Sequence, residues 1–325
     1  MKKIRKKTCF LMLFFILFMP GRTYAAQTDV TAFSAADTDV GAAAARNGLV
    51  KCRNGRYCFY YKGKKLKNTW RTVAQKQYYF GASGYCVTTS INLKGTIYVF
   101  NSEGQLYKPS RRRIYKSKGY YYCVNSNGTA DAGWIVVNNR LYLANTRSGR
   151  IYTNRTYKGI ALGSNGAAKI NTASRLKIKT MSAVASITKK GMTKSQKLYA
   201  CWKYLVNSGK FRYWSFSPNI SKRGWQKECA LSMLIYYRGS CSNFACAFAA
   251  LAAEVGYDPY IVYGRVPGSR DGAADGMTRH CWVMISEGHY DPEGAYAGWS
   301  GFIYGKSYYP IYHTVTQTVN FTDWY

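Results

Sequence analysis

The sequence predicts a two-part chain, an N-terminal solenoid of β-hairpin repeats followed by a C-terminal α+β domain. Three observations predict it. Glycines recur at positions 63, 84, 104, 128, 149 and 166, spaced by 21, 20, 24, 21 and 17 residues, inside a stretch rich in Tyr, Gly, Asn, Lys and Arg. Helical patterning resumes only near Thr193. The third is an Ala-rich run without Gly or Pro, Ser242 to Val255, followed by two strand-like runs, which suits a helix packed on a sheet.

Taken in order, the chain opens with Lys2, Lys3, Arg5, Lys6 and Lys7, then the apolar run Cys9 to Met19, Pro20-Gly21 and the small residues up to Ala26. This pattern predicts a secretory signal peptide over 1–26, cleaved after Ala25 or Ala26. The run is well short of the ~20 residues a spanning helix needs. No other stretch is long enough, so the mature chain is expected to lack a transmembrane segment. Residues 27–45 are small and polar without apolar periodicity, and read as a linker.

Residues 46–171 form the repeats. Six residues before each glycine stand Tyr57, Tyr78, Tyr98, Tyr122, Leu143 and Ile160, and four before stand Phe59, Phe80, Phe100, Val124, Asn145 and Leu162. The period predicts one strand pair per repeat with a tight turn at the glycine, stacking on its neighbours for a core. This stretch carries 23 Lys and Arg against only Glu103 and Asp131, so most of the chain's net charge of +33 lies here. Such an excess suits a polyanionic surface, here cell-wall teichoic acid or acidic glycan. A solvated basic face is the alternative. Nothing resembles a motif that reads bases, and export would separate the chain from nucleic acid.

Residues 172–192 are polar and basic with few large apolar side chains, and read as an interdomain linker. The last part, 193–325, opens with a helix capped by Thr193 or Ser195 that buries Leu198, Cys201, Trp202 and Leu205 and stops at Gly209. A second short helix is expected at Cys229 to Tyr236. In the run after Cys241, Phe244, Phe248, Leu251 and Val255 form one apolar stripe, while Ala245, Ala249 and Ala252 admit close approach. That helix is therefore expected to be central.

Cys241 stands at its N-terminus, where unpaired amides and the helix dipole favour a thiolate. A buried or disulfide-bonded cysteine is the alternative. Tyr260 to Tyr263 and His280 to Ile285 are strand candidates, and Ser286-Glu287-Gly288 is a turn leading to His289-Tyr-Asp291. With that turn centred on Ser286 and Glu287, Asp291 falls opposite Trp282, on the same face as His280. A carboxylate there can orient the imidazole. Thiol, imidazole and orienting carboxylate are the three parts of a cysteine hydrolase or acyltransferase.

The succession Gly-Ser-Cys241-Ser-Asn-Phe-Ala245, Gly256-Tyr-Asp-Pro259, His280-Cys-Trp282 and Asp291-Pro292 resembles the transglutaminase-like superfamily. That resemblance implies a papain-like α+β fold and a catalytic triad of Cys241, His280 and Asp291. The Cys241 amide is the default oxyanion donor; Trp214, Trp225, Tyr236 and Tyr237 are unranked candidates for a second. The repeats resemble the choline-binding-like cell-wall repeats of secreted Gram-positive proteins, with Trp70 and Gly133-Trp134 at the Gly-Trp step. In that family aromatic rings of neighbouring repeats cage the ligand, and such rings suit a quaternary amine or a sugar. The alternative is a spacer whose aromatic residues are only its core.

Nine cysteines remain after Cys9. Outside the cell up to four disulfides would leave one thiol over, and Cys241 is the one expected free. Cys246 and Cys281 face away from the site, and His289 and His313 are expected to be ordinary. No CxxC or HxxxH pair marks a zinc site, and neither metal nor cofactor is expected. The sequence thus predicts a secreted, wall-associated cysteine enzyme acting on protein or peptide amides. Transglutaminase-like peptidase or amidase and protein-glutamine acyltransferase both fit. An inert wall-binding or adhesion protein is the alternative.

Overall fold

The computed structural model describes residues 47–286 and 288–322. The expected signal peptide and linker, with Arg46, Glu287 and residues 323–325, lie outside the described residues. The chain divides into two compact units, the first ending at Tyr85 and the second starting at Cys86.

In the first unit β1 (Gly48–Lys51) pairs with β2 (Tyr57–Tyr61), which also pairs with β3 (Lys64–Lys65). Strands β4 (Thr69–Val73) and β5 (Lys76–Phe80) form a hairpin. Cys52 and Cys58 form a disulfide, the only one among the described residues, within the expected maximum of four. The second unit continues with hairpins β6 (Ser90–Leu93)/β7 (Thr96–Val99), β8 (Arg113–Ser117)/β9 (Tyr120–Val124), β10 (Gly133–Val137)/β11 (Arg140–Ala144) and β12 (Arg155–Tyr157)/β13 (Ile160–Leu162).

One feature of the repeat differs from expectation. Hairpin tips are pairs of residues with positive φ, Ala74-Gln75, Lys94-Gly95, Lys118-Gly119, Asn138-Asn139 and Lys158-Gly159, as tight two-residue hairpin turns require. Of the six periodic glycines only Gly63 occupies a tip. The others sit in the turn after the second strand, at φ of +69° to +87°, where the chain steps to the next hairpin. A Cβ on Gly128 would lie 2.7 Å from Leu106, and one on Gly149 3.1 Å from Ile97. The period therefore marks the stacking step, which needs both a left-handed backbone and no side chain. Phe80, Phe100, Val124 and Leu162, four residues before a glycine, are buried.

Helix α1 (Thr172–Ile187) replaces the expected linker. Asn171 and Ser174 cap it reciprocally at 2.8 and 3.0 Å. Its inward residues are Ala173, Leu176, Thr180 and Ala183, mostly too small to register as an apolar stripe. Leu176 and Ala183 nevertheless join the core that α2 (Lys194–Val206), α3 (Trp225–Tyr236) and α4 (Cys241–Glu254) build. Thr180 Oγ1 donates at 3.0 Å to Glu254 of α4, whose carboxylate also pairs with Lys177 at 2.7 Å.

Every residue of α4 from Cys241 to Ala252 is buried, so this helix is central, as its composition predicts. A parallel pair, β14 (Arg212–Tyr213) and β15 (Arg238–Gly239), leads into it. Beside it runs an antiparallel sheet of order β18-β17-β16-β19, formed by β16 (Tyr260–Pro267), β17 (Met277–Ile285), β18 (Gly288–Tyr290) and β19 (Thr314–Asn320). Short helix α5 (Pro292–Tyr296) follows β18.

Gly264 pairs with His280 across β16 and β17, where the β16/β19 register shifts. A Cβ there would collide with the Thr314 carbonyl and lie 3.3 Å from Trp282. Gly264→Ala is therefore expected to destabilise the domain by more than about 2 kcal/mol in urea denaturation, through backbone displacement. Phe248→Ala, in the centre of α4, is expected to cost about 3–5 kcal/mol. A shift under about 0.5 kcal/mol in either variant would contradict this packing.

Candidate active site

Backbone order brings the three sequence-predicted residues together. Ser240 precedes α4, and Asn243 Oδ1 accepts from the Ser240 N–H at 3.0 Å while its Nδ2 donates to the Cys229 carbonyl at 3.1 Å. These bonds fix the turn that sets Cys241 at the first helical position, with the first-turn amides unpaired within the helix. His280 lies in mid-β17. The β17/β18 register, Val283↔Tyr290 to Ile285↔Gly288, extends to put Asp291 opposite Trp282, the placement the turn predicts.

His280 and Asp291 form a buried pair, Nε2 to Oδ2, at 2.6 Å, with His280 fully enclosed. The Tyr309 hydroxyl donates to the same oxygen at 2.7 Å, and the Gly294 N–H donates to Oδ1 at 2.8 Å. Tyr309 is held by stacking on Trp282 at 4.2 Å. Burial alone would lower the His280 pKa, but the Asp291 charge and hydrogen bond, with a contribution from Cys241, raise it well above the usual imidazole range. Burial alone would raise that of Asp291, yet His280, Gly294 and Tyr309 hold it below the usual carboxylate value. His280 contributes stability below its ordinary pKa, lost as pH rises through the raised one; Asp291 contributes above its ordinary pKa, lost as pH falls through the depressed one.

With Nε2 committed to Asp291, Nδ1 is the ring nitrogen left for a thiol. It makes no hydrogen bond of normal geometry, while Cys241 acts on the ring closely enough to raise its pKa. The thiol and the imidazole are thus adjacent without a well-formed hydrogen bond between them. Cys241 is only 5% exposed. Trp299 covers His280, with ring centroids 5.3 Å apart, and Arg270 lies near enough to feel both Cys241 and Glu293. Arg270 is itself held by the Tyr213 hydroxyl at 3.2 Å and by the Arg279 carbonyl.

Three residues of this site were missed from the sequence. Tyr309 and Trp299 reach it from the loop between α5 and β19. Glu293, at the second position of α5, places Oε2 3.8 Å from His280 Nδ1. Proximity to Asp291 was the only signal for Glu293, and neither aromatic residue had one.

The other candidates stand aside. Burial pushes the pKa of Cys246 and Cys281 up, so neither suits a nucleophile. His289 is partly buried on β18, its pKa lowered by burial and by His313, and His313 packs edge-on against Trp282. Of the four aromatic oxyanion candidates, Trp214, Tyr236 and Tyr237 are exposed, and Trp225 is buried edge-on against Tyr263 at 6.0 Å. Among the described residues, His280, Asp291 and Glu293 alone have three donor atoms close enough for a metal ion, within 4.8 Å of one another. Both Asp291 oxygens already accept hydrogen bonds, so a cation would have to displace partners.

Comparisons with known proteins bear on each part. No curated protein matches the chain. Among solved structures, choline binding protein F from Streptococcus pneumoniae is 26% identical, the match covering 38% of this chain and 48% of that one, with a TM-score of 0.19. CbpJ from Streptococcus pneumoniae is 22% identical over 38% and 48%, with a TM-score of 0.20. The autolysin LytC from Streptococcus pneumoniae is 20% identical over 38% and 28%, with a TM-score of 0.27. The chain thus spans about half the length of the first two, and less of the third. A family model described as the transglutaminase-like superfamily matches residues 182–299, the stretch that holds Cys241, His280 and Asp291. The C-terminal α+β region of this chain carries a transglutaminase-like domain.

Proposed function

We propose that this protein is a secreted, cell-surface cysteine enzyme that acts on amide or peptide bonds through an acyl-enzyme on Cys241. The buried 2.6 Å His280–Asp291 pair carries this reading, because it leaves Nδ1 as the proton carrier beside a thiol at a helix N-terminus. With the proton already carried on Nδ1, Cys241 Sγ attacks the carbonyl carbon. The imidazolium then protonates the departing amine, leaving a thioester that water hydrolyses or an amine intercepts. Asp291 holds the ring orientation and favours the imidazolium, and the Cys241 amide faces the developing oxyanion.

Export is assigned to residues 1–26 and wall attachment to the repeats. Among the described residues no helix is long and apolar enough to cross a membrane. A polyanionic ligand suits the repeats better than a quaternary amine, because several of their ring faces are already occupied from within. Lys65 lies 3.5 Å from the Tyr85 ring centroid, Arg150 lies 3.7 Å from that of Tyr120, and Tyr107 stacks on Tyr115 at 3.7 Å. Lys177 stands over Trp134 at 5.7 Å. A cage for an alkylammonium needs those faces free.

A second reading, an inert wall-binding protein, draws on the 5% exposure of Cys241. The two separate in an assay of amine release from glutamine-containing peptides together with incorporation of a labelled primary amine. Wild type is expected to turn over by one route or both, and Cys241→Ala to lose about a thousandfold or more. Equal rates in the two proteins would leave the inert reading.

Two further outcomes are expected. Because Asp291 raises the His280 pKa, the alkaline limb of the acylation profile lies above the ordinary imidazole value of about 6.5. Asp291→Asn moves that limb down as well as slowing the reaction; an unmoved limb would contradict the pairing. Retention on purified cell walls is expected to fall between about 0.1 and 1 M salt, as the screening length drops from about 10 to about 3 Å. Elution by choline at constant ionic strength would instead favour the aromatic cage.

A further inference from the structure

Glu293 is a buried acid whose position the mechanism above does not explain. It is 5% exposed, and Oε2 has no hydrogen-bond partner. Such a group costs free energy unless something else satisfies it, and its presence calls for a reason. The partnerless oxygen is 3.8 Å from His280 Nδ1, too far for a hydrogen bond between the two, and Nδ1 also lacks one of normal geometry. Two atoms without hydrogen-bond partners therefore lie side by side, with the Trp299 ring packed against His280.

An atom donating hydrogen bonds of about 2.9 Å to both Nδ1 and Oε2 bridges 3.8 Å with an angle of about 80° between them. In deacylation the attacking atom must occupy such a place, since it gives its proton to Nδ1. We infer that Glu293 binds the attacking nucleophile by its second X–H bond, which selects water and primary amines over acceptors with a single X–H bond.

This inference rests on the acyl-enzyme reading. The X–C bond forms and the thioester C–S bond breaks through a tetrahedral intermediate. One proton of X passes to Nδ1, the second X–H stays bonded to Oε2, and the electron pair of the broken bond leaves on Cys241 Sγ, restoring thiolate beside imidazolium. An alcohol or secondary amine gives its only proton to Nδ1 and leaves the acid unsatisfied. Burial holds the Glu293 pKa up, opposed by His280 and Arg270. In either protonation state the carboxyl keeps an acceptor lone pair.

The test uses p-nitrophenyl acetate to acetylate the full-length protein. It follows acetyl-Cys241 by intact mass and measures the products formed with methylamine, dimethylamine and methanol. Wild type is expected to favour methylamine over dimethylamine by about tenfold relative to a free acetyl thioester under the same conditions. Glu293→Leu should lose that preference and lengthen the acetyl-enzyme lifetime about tenfold, with a nitrophenolate burst still present to show that acylation occurs. Glu293→Gln, which keeps an acceptor, should retain most of the preference. A wild-type preference no greater than that of the free thioester overturns the inference, and needs no variant to fold. An unchanged preference in Glu293→Leu with an intact burst does so as well. If wild type forms no acetyl-Cys241, the acyl-enzyme reading itself fails and takes this inference with it.

Discussion

An imidazole and a carboxylate enclosed together cannot both be left unpaired, and the architecture around the site follows from keeping His280 and Asp291 in contact. The pair sits on a hairpin whose register sets the two side chains on one face. Tyr309, stacked on Trp282, supplies one more donor to the carboxylate, and the Gly294 amide supplies another. A Cβ on Gly294 would lie 2.8 Å from Phe302 and 3.1 Å from the Asp291 carboxyl carbon, so the turn that donates this bond has no room for a side chain. Removing one member would leave a buried charge uncompensated, which costs more than the pair contributes.

Much of this was legible from the chain because it is local. The N-terminal position of Cys241 follows from where Gly and Ser end and an Ala-rich run begins. The placement of Asp291 follows from counting along a short hairpin, where period two is strict. What escaped is tertiary. Trp299 and Tyr309 come from an irregular loop with no periodicity to read. Glu293 owes its importance to burial against His280, which sequence does not display. Helix α1 was missed for another reason, since its inward residues Ala173, Thr180 and Ala183 are small or polar and give no apolar stripe against exposed Arg175 and Lys179. The spacing of three and four residues was present all the same, and Asn171 with Ser174 formed a capping signal.

In the repeats, the glycine period was correct as a period and misassigned to the hairpin tip. A hairpin tip accepts Ala74-Gln75 or Asn138-Asn139 at positive φ, whereas the step between hairpins needs glycine because a neighbour's side chain fills the space. The aromatic residues divide similarly. Tyr122 and Phe100 are core, while Tyr85 and Tyr120 lie under the chain's own cations. Basic side chains laid over ring faces turn an aromatic surface into a cationic one, consistent with the sparse acids of this region.

The central claim is that Cys241 is an activated thiol and His280 its partner. Its most direct test is the rate of Cys241 alkylation by iodoacetamide across about pH 4 to 8, in wild type and His280→Ala, with the modified residue located by mass. The account predicts rapid reaction well below the usual thiol pKa of about 8.5, slowed when the imidazole is removed. Reaction no faster than that of an ordinary thiol, or equally fast without His280, would contradict it.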